Sequence, residues 1–274
     1  MYGYGYQYGK IIGGGGGFDA DAQAFITAAG ITDPTQQEAI NTLVVGMKAD
    51  SVWTKTIALY PFVGGTATTH KFNLKDPRDL DAAYRITFNG GMTHSANGIT
   101  PNGTNAYCET YVAGTNLTNN STSWSIYSRT AQTADVIDIG GANGTGQGLF
   151  AYVKRSAPNG GFNSLLYESP DLDYSAMPAS TGLIGASRQS SVSHRTNRNG
   201  VNLASSATAN TFDITTMTTN IVLCAYRAVS GGSPIIFSSK NLAFAHLGTG
   251  LTDTDFANLY TLVQAYQTTL NRQL

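Results

Sequence analysis

The sequence predicts a mainly β fold, a sandwich or barrel of short antiparallel strands with helices at its two ends, and three observations predict it. Between about residues 57 and 247, β-branched and aromatic runs alternate with clusters of Gly, Asn, Ser and Thr, the punctuation of a sheet protein. Asn199-Gly200, flanked by Arg198 and Val201, is a two-residue hairpin signal, because both turn positions must accept positive φ. Outside that span the apolar residues fall at helical spacing, once before residue 57 and again after Asp253.

Residues 1–17 alternate Tyr2, Tyr4, Tyr6 and Tyr8 with glycine and end in five consecutive glycines, which predicts a flexible arm without a core of its own. Its four rings, amphipathic and poor in rotamer entropy, are expected to anchor the chain on a partner subunit. Residues 18–56 read as a helical attachment segment. Ala22, Phe25, Ile26 and Ala29 line one helical face that Gly30 is placed to end. Asp33 before Pro34, with Gln36 three residues on, predicts a capped second helix whose apolar face is Ile40, Leu43, Val44 and Met47. A further turn near Ser51, carrying Val52 and Trp53, leads into the apolar stretch 57–63.

Residues 57–274 then form the sandwich and its closing helix. The strand runs are 84–88, 107–112, 124–128, 136–139, 149–153, 165–167, 183–186, 221–226, 235–237 and 242–247. The last helix carries Phe256, Leu259, Tyr260, Val263, Tyr266 and Leu270 on one stripe, opened by Thr252 with Asp255 in a capping-box spacing.

Composition excludes several functions. Of 274 residues, 41% are hydrophobic and 12% charged, against a typical charged share of about 25%. Surface charge is replaced by 34 threonines, 21 serines and 20 asparagines, a surface suited to sugars and crowded protein contacts. Sixteen basic against 17 acidic residues, with no basic cluster, leave nucleic acid without a counterion-release footprint. No stretch approaches a membrane span, and no cationic start with an apolar run marks a secretory signal. Cys108 and Cys224, far apart in apolar segments, are expected as two small buried hydrophobes.

Several segments, in order, resemble the concanavalin A-like, laminin-G-like superfamily. They are Pro101-Asn102-Gly103-Thr104-Asn105-Ala106-Tyr107, the run LTNNSTSWSIYS at 117–128, Arg198-Asn199-Gly200, and residues 239–247 with Gly250-Leu251-Thr252-Asp253. The resemblance implies an antiparallel jelly-roll β-sandwich. Across residues 19–274, the runs DADAQAFITAAGITDPTQQEAINTLVVGMKADSVWTK, YPFVGGTATTHKFNLKDPRD, SSKNLAFAHLGTGLTDTD and LYTLVQAYQTTLNRQ look like a module of structural proteins in tailed phages of Bacteroidetes hosts. That resemblance implies a virion protein of a fibre, spike or decoration, with other virion proteins as partners, homo-oligomeric and possible as a trimer. The alternative is a stand-alone carbohydrate-binding lectin module without a virion role.

Chemistry-bearing constellations are sparse. Glucan hydrolysis needs two carboxylates on one face, yet the glutamates are only Glu38, Glu109 and Glu168, and Glu109 has no acid at i+2 or i+4. The chain is therefore expected not to be an enzyme. Asp135 with Asp138, and Asp171 with Asp173, are the closest acid pairs; the second has the alternate spacing that a Ca²⁺ ion of the laminin-G-like kind would use, but a solvated loop fits it better and no cofactor is indicated. His70, His94, His194 and His246 stand far apart in sequence without a zinc motif. Gly140, Gly141, Gly144, Gly146 and Gly148 lack the Lys-Ser/Thr of a phosphate loop. The polar loop 89–105 offers His94, Asn97, Asn102 and Asn105 as candidate contacts for a host-surface glycan. It contains no aromatic residue on which a pyranose face would stack.

Overall fold

The computed structural model describes residues 17–156, 161–167, 172–174 and 177–274. The elements follow one another along the chain as helices α1 (Ala20–Ala29) and α2 (Pro34–Ala49), strand β1 (Thr56–Tyr60), the single turn α3 (Ala67–His70), and strands β2 (Thr87–Asn89), β3 (Thr93–Ser95), β4 (Gly98–Thr100), β5 (Tyr107–Ala113) and β6 (Thr122–Ser128). There follow β7 (Ile139–Ala142), β8 (Gly148–Tyr152), β9 (Phe162–Tyr167), β10 (Leu172–Tyr174), β11 (Gly182–Ser190), β12 (Ser193–Arg198), β13 (Val201–Ser206), β14 (Asn220–Leu223), β15 (Leu242–Gly248) and α4 (Asp253–Thr269).

The strands form two antiparallel sheets packed as a sandwich. One runs β13-β12-β11-β6-β15-β4-β3, with β1 also paired to β15; the other runs β10-β9-β8-β7-β14-β5-β2. Between them lie Trp124, Ile126, Leu149, Phe162, Ile184 and Leu247, all buried. A second apolar layer forms on the far side of the first sheet, where Tyr127, Leu183 and Phe244 meet Phe25, Ile40, Leu43 and Met47 of α1 and α2 and Phe256, Leu259 and Val263 of α4. Fully burying side chains of this size is worth about 1.5–3 kcal/mol each, so residues 18–56 are held on the sandwich. The first sheet is thus helix-backed, and no helix among the described residues covers the outer face of the second, open sheet. No helix among them is long and apolar enough to cross a membrane.

Local chemistry explains the element ends. The Asp19 carboxylate accepts the Asp21 N–H, and Gly30, at φ 66°, closes α1 in the left-handed conformation that glycine adopts without penalty. Asp33 accepts the Gln36 N–H at 2.8 Å ahead of Pro34. Thr252 and Asp255 cap α4 reciprocally, and Lys55 reaches the same Asp255 carboxylate at 2.6 Å. Asn199 and Gly200, at φ 50° and 76°, make the β12–β13 turn. Cys108 and Cys224 are free and buried.

Three predicted strands are displaced and a fourth does not form. The run at 84–88 becomes β2, beginning at Thr87, because Tyr84 sits at φ 60° at the end of a 3-10 turn, Asp81–Ala83. The run at 136–139 shifts to β7, and β14 ends at Leu223 because Cys224 takes φ 66°. From there the chain leaves the sheet as a folded loop, so 235–237 makes only isolated bridges to Tyr226 and Ile137. A fully buried ion pair pins that departure: Lys240 Nζ lies 2.8 Å from Asp138 Oδ2, while Ser238 Oγ donates to Asp138 Oδ1 at 2.6 Å.

Candidate functional site

The predicted polar loop folds around its own amides. Asn102 Oδ1 accepts the N–H groups of Thr104, Asn105 and Ala106, and its Nδ2 donates to Asn105 Oδ1 at 2.7 Å. Asn105 Oδ1 also takes the Gly91 N–H. Asn97 is exposed in the β3–β4 turn, with its backbone N–H on Ser95 Oγ.

His94 is brought to His70 rather than to those amides, their Nδ1 atoms 3.0 Å apart, with the Phe88 ring edge-on at 4.4 Å. The Gly65 N–H donates to His70 Nε2. Neutral His70 therefore carries its proton on Nδ1 and donates it to His94 Nδ1, which assigns the His94 proton to Nε2. Burial pushes His70 down to about 3 and lowers His94 too, so the pair is a neutral hydrogen bond with both facing nitrogens in use. A cleft of about 320 Å³ beside it is lined by Ala67, Thr68, Lys71, Arg85, Ile86, Thr87 and Phe88. Its two cations are already satisfied, Lys71 and Arg85 both on Asp79 at 2.6 and 2.7 Å and Arg85 also on Asp81 at 2.9 Å.

Tyr2, Tyr4, Tyr6, Tyr8 and Asp171 lie outside the described residues. Asp173 accepts from Asn163 Nδ2 at 2.6 Å, and Asp138 is bound to Lys240. Among the described residues no group of three His, Cys, Asp or Glu is placed to hold a metal.

The aromatic surface missing from the loop stands on the open sheet. Side chains alternate along a strand, so with Cys108 in the core Tyr107 and Glu109 point outward. A bulge at Tyr111, φ 59°, turns its hydroxyl onto Thr87 Oγ1 at 2.9 Å. On β8, Leu149 and Ala151 face the core and Phe150 and Tyr152 face out. One cross-strand row joins these elements: Thr87 pairs with Glu109, Glu109 with Val222, Val222 with Gly140 and Gly140 with Phe150. At about 4.8 Å per strand the row spans about 19 Å.

The folded loop after β14 completes this face. Gly140 has no side chain, and the space is taken by Tyr226, whose ring would stand 2.8 Å from an added Cβ. Tyr226 meets Phe150 at 5.7 Å between ring centroids and Phe150 meets Tyr152 at 5.8 Å, both edge-on, with the Arg155 guanidinium 4.6 Å from the Tyr152 ring. Arg227 donates to Glu109 Oε2 at 2.5 Å and to the Gly232 carbonyl, its guanidinium 5.7 Å from the Tyr107 ring. Glu109 Oε1 has no hydrogen-bond partner among the described residues. Tyr107, Tyr111, Phe150, Tyr152 and Tyr226 are all half-buried. The sequence signal was there, as Tyr-x-Glu-x-Tyr at 107–111 and Phe-x-Tyr at 150–152, but period two alone does not say which sheet face is outward.

No family model matches the chain, and no curated protein matches it by sequence. Solved structures similar to it include domain 4 of AbnA, an extracellular arabinanase from Geobacillus stearothermophilus, in complex with arabinotriose, at 15% identity and TM-score 0.46 over 75% of this chain and 98% of that one. The botulinum neurotoxin serotype D binding domain is similar at 12% identity and TM-score 0.49 over 77% of this chain and 52% of that one, so this chain spans about half its length. The CBM40 of Ruminococcus gnavus IT-sialidase is similar at 15% identity and TM-score 0.36 over 50% of this chain and 81% of that one. The likeness extends to β-sandwich architecture and no further. The class defined by this chain's own fold is a helix-backed antiparallel β-sandwich with one aromatic outer face.

Proposed function

We propose that the chain is a non-enzymatic adhesion protein of a bacteriophage particle, a fibre, spike or decoration component that binds host-surface glycan through the open sheet. The observation that carries the binding reading is the group of five half-buried aromatic residues on the outer face that the helices leave uncovered. Rings of this kind offer an apolar flat surface to the C–H face of a sugar while their hydroxyls remain wet. Against hydrolysis, Glu109 is tied to Arg227, and its strand, Tyr107–Ala113, supplies no second carboxylate to share acid and nucleophile roles. The virion assignment rests on the quoted sequence runs, with Tyr2, Tyr4, Tyr6 and Tyr8 as the anchor to other virion proteins or to further copies of this chain.

Affinity electrophoresis through gels containing bacterial polysaccharides tests the binding. Retardation by at least one polysaccharide is expected, weakened about tenfold or more by Tyr152→Ala or Phe150→Ala, the loss a buried aromatic anchor typically causes. Equal mobility with and without every polysaccharide refutes it. Stoichiometric presence in purified particles tests the virion assignment; binding without such presence assigns the same face to a free lectin module.

A further inference from the structure

We infer that the ligand of the open sheet is an uncharged glycan, and that Glu109 sets this selectivity by occupying Arg227; the inference rests on the glycan-binding reading above. A guanidinium among aromatic rings on a binding face is the group best suited to grip a carboxylated sugar, because its fork matches a carboxylate with two hydrogen bonds. In this protein that positive charge is already paired from within. Arg227 Nη1 donates to Glu109 Oε2 at 2.5 Å, Nε donates to the Gly232 carbonyl, and both side chains of the pair are about nine-tenths buried, at 10% and 12% exposed. An incoming carboxylate would meet a guanidinium whose charge Glu109 already cancels.

Two neighbouring arginines are paired with carboxylates in the same way. Arg155, lying on the Tyr152 ring, pairs with Asp135 at 3.5 Å. Arg85, at the β2 edge, pairs with Asp79 and Asp81. Lys154 sits beyond Tyr152 and turns its ammonium to the Pro178 carbonyl at 3.3 Å. What the face presents is ring surface and hydroxyls, including the Thr87–Tyr111 pair, with its central charge cancelled. That chemistry complements a chain of neutral hexose or pentose units, whose recognition needs stacking and hydroxyl hydrogen bonds and no counter-charge.

The full chain is titrated against neutral polysaccharides (dextran, mannan, laminarin, arabinan) and anionic ones (polygalacturonate, polysialic acid, hyaluronate), at about 20 mM and about 500 mM NaCl, where screening separates charge from stacking. Wild type is expected to bind a neutral member at least about tenfold more tightly than any anionic one, with affinity moving less than about twofold between salts. Glu109→Gln, which keeps shape and frees the guanidinium, is expected to move the anionic-to-neutral affinity ratio up by about tenfold or more, and the gained anionic binding should vanish at high salt. Adding Arg227→Met to that variant should return the ratio to its starting value, which a loss of fold would not do. Tighter, salt-sensitive wild-type binding to an anionic chain overturns the inference while leaving glycan binding intact. An unchanged ratio in folded Glu109→Gln overturns the role of Glu109. Binding to neither set removes the glycan reading and this inference with it. The wild-type comparison needs no variant, so a misfolded Glu109→Gln leaves the inference falsifiable.

Discussion

Lowering the pH from 7 to 5 should cost this protein much of its stability through three buried histidines. Three histidines are buried and held neutral: His70 against His94 and the Gly65 amide, His194 on Ser164 Oγ at 3.0 Å, and His246 with no hydrogen-bond partner among the described residues. Desolvation pushes each down to about 3, helped by the nearby Arg272 charge at His70 and Arg188 at His194. In the unfolded chain the same rings titrate near about 6.5. Above that pH both states are neutral and nothing is lost. Below it the unfolded state binds protons that the folded state refuses, so stability falls with pH down to about 3. At pH 5 each ring favours the unfolded chain by about 2 kcal/mol, and the three together by about 6 kcal/mol. That is comparable with the whole stability of a typical domain, about 5–15 kcal/mol. Urea unfolding followed by tryptophan fluorescence at half-unit pH steps measures it, and His246→Leu should remove about a third of the fall. A urea midpoint that stays constant from pH 7 to pH 5 would refute the assignment of these rings as neutral and buried.

Two further perturbations address buried charge. Lys240→Met alone leaves Asp138 buried without its partner and should destabilise by about 3–5 kcal/mol, whereas the double variant with Asp138→Leu should recover part of that loss in the same urea assay. Arg272, 1% exposed and without a carboxylate, donates to the carbonyls of Pro61, Phe62, Ala96 and Ala243 and to Gln267 Oε1. Arg272→Met should lower stability by about 3–5 kcal/mol by orphaning those acceptors, and Arg272→Lys, lacking the planar fork, should rescue less than half of it by chemical denaturation.

The parts of the fold legible in the sequence are those decided within four residues. Gly30 ends α1, Asp33 precedes Pro34, Thr252 finds Asp255, and Asn199-Gly200 turns β12 into β13. Each depends on a side chain bonding a neighbouring amide or on a residue that tolerates positive φ. The departures depend on distant partners. β14 stops at Leu223 where the 221–226 run would continue, and Asp138 and Lys240, 102 positions apart, fix the loop that follows. The proposed binding face was hidden for a related reason: Tyr107, Tyr111, Phe150 and Tyr152 look like core-forming strand residues until it is known which sheet the helices cover. His70 and His94, 24 positions apart, met through folding alone.

Covering one sheet and not the other also orders attachment and display. The described chain begins at α1, whose Phe25 and Ile26 sit in the layer behind the helix-backed sheet, and Asp19 is tied to Lys48 of α2 at 2.6 Å. Phe18, near the start of the described residues, therefore packs on the helical side, away from the open sheet. Had α1 packed on the open sheet, attachment and glycan contact would compete for one surface. The open face needs little charge to stay wetted, because hydroxyls and one internally cancelled ion pair occupy it. That placement gives the proposed adhesion a geometric requirement: removing residues 1–17 should abolish incorporation into particles while leaving polysaccharide retardation of the isolated chain unchanged. Loss of both together would mean that the arm and the open sheet serve one site, and the separation argued from the helical layer would fall.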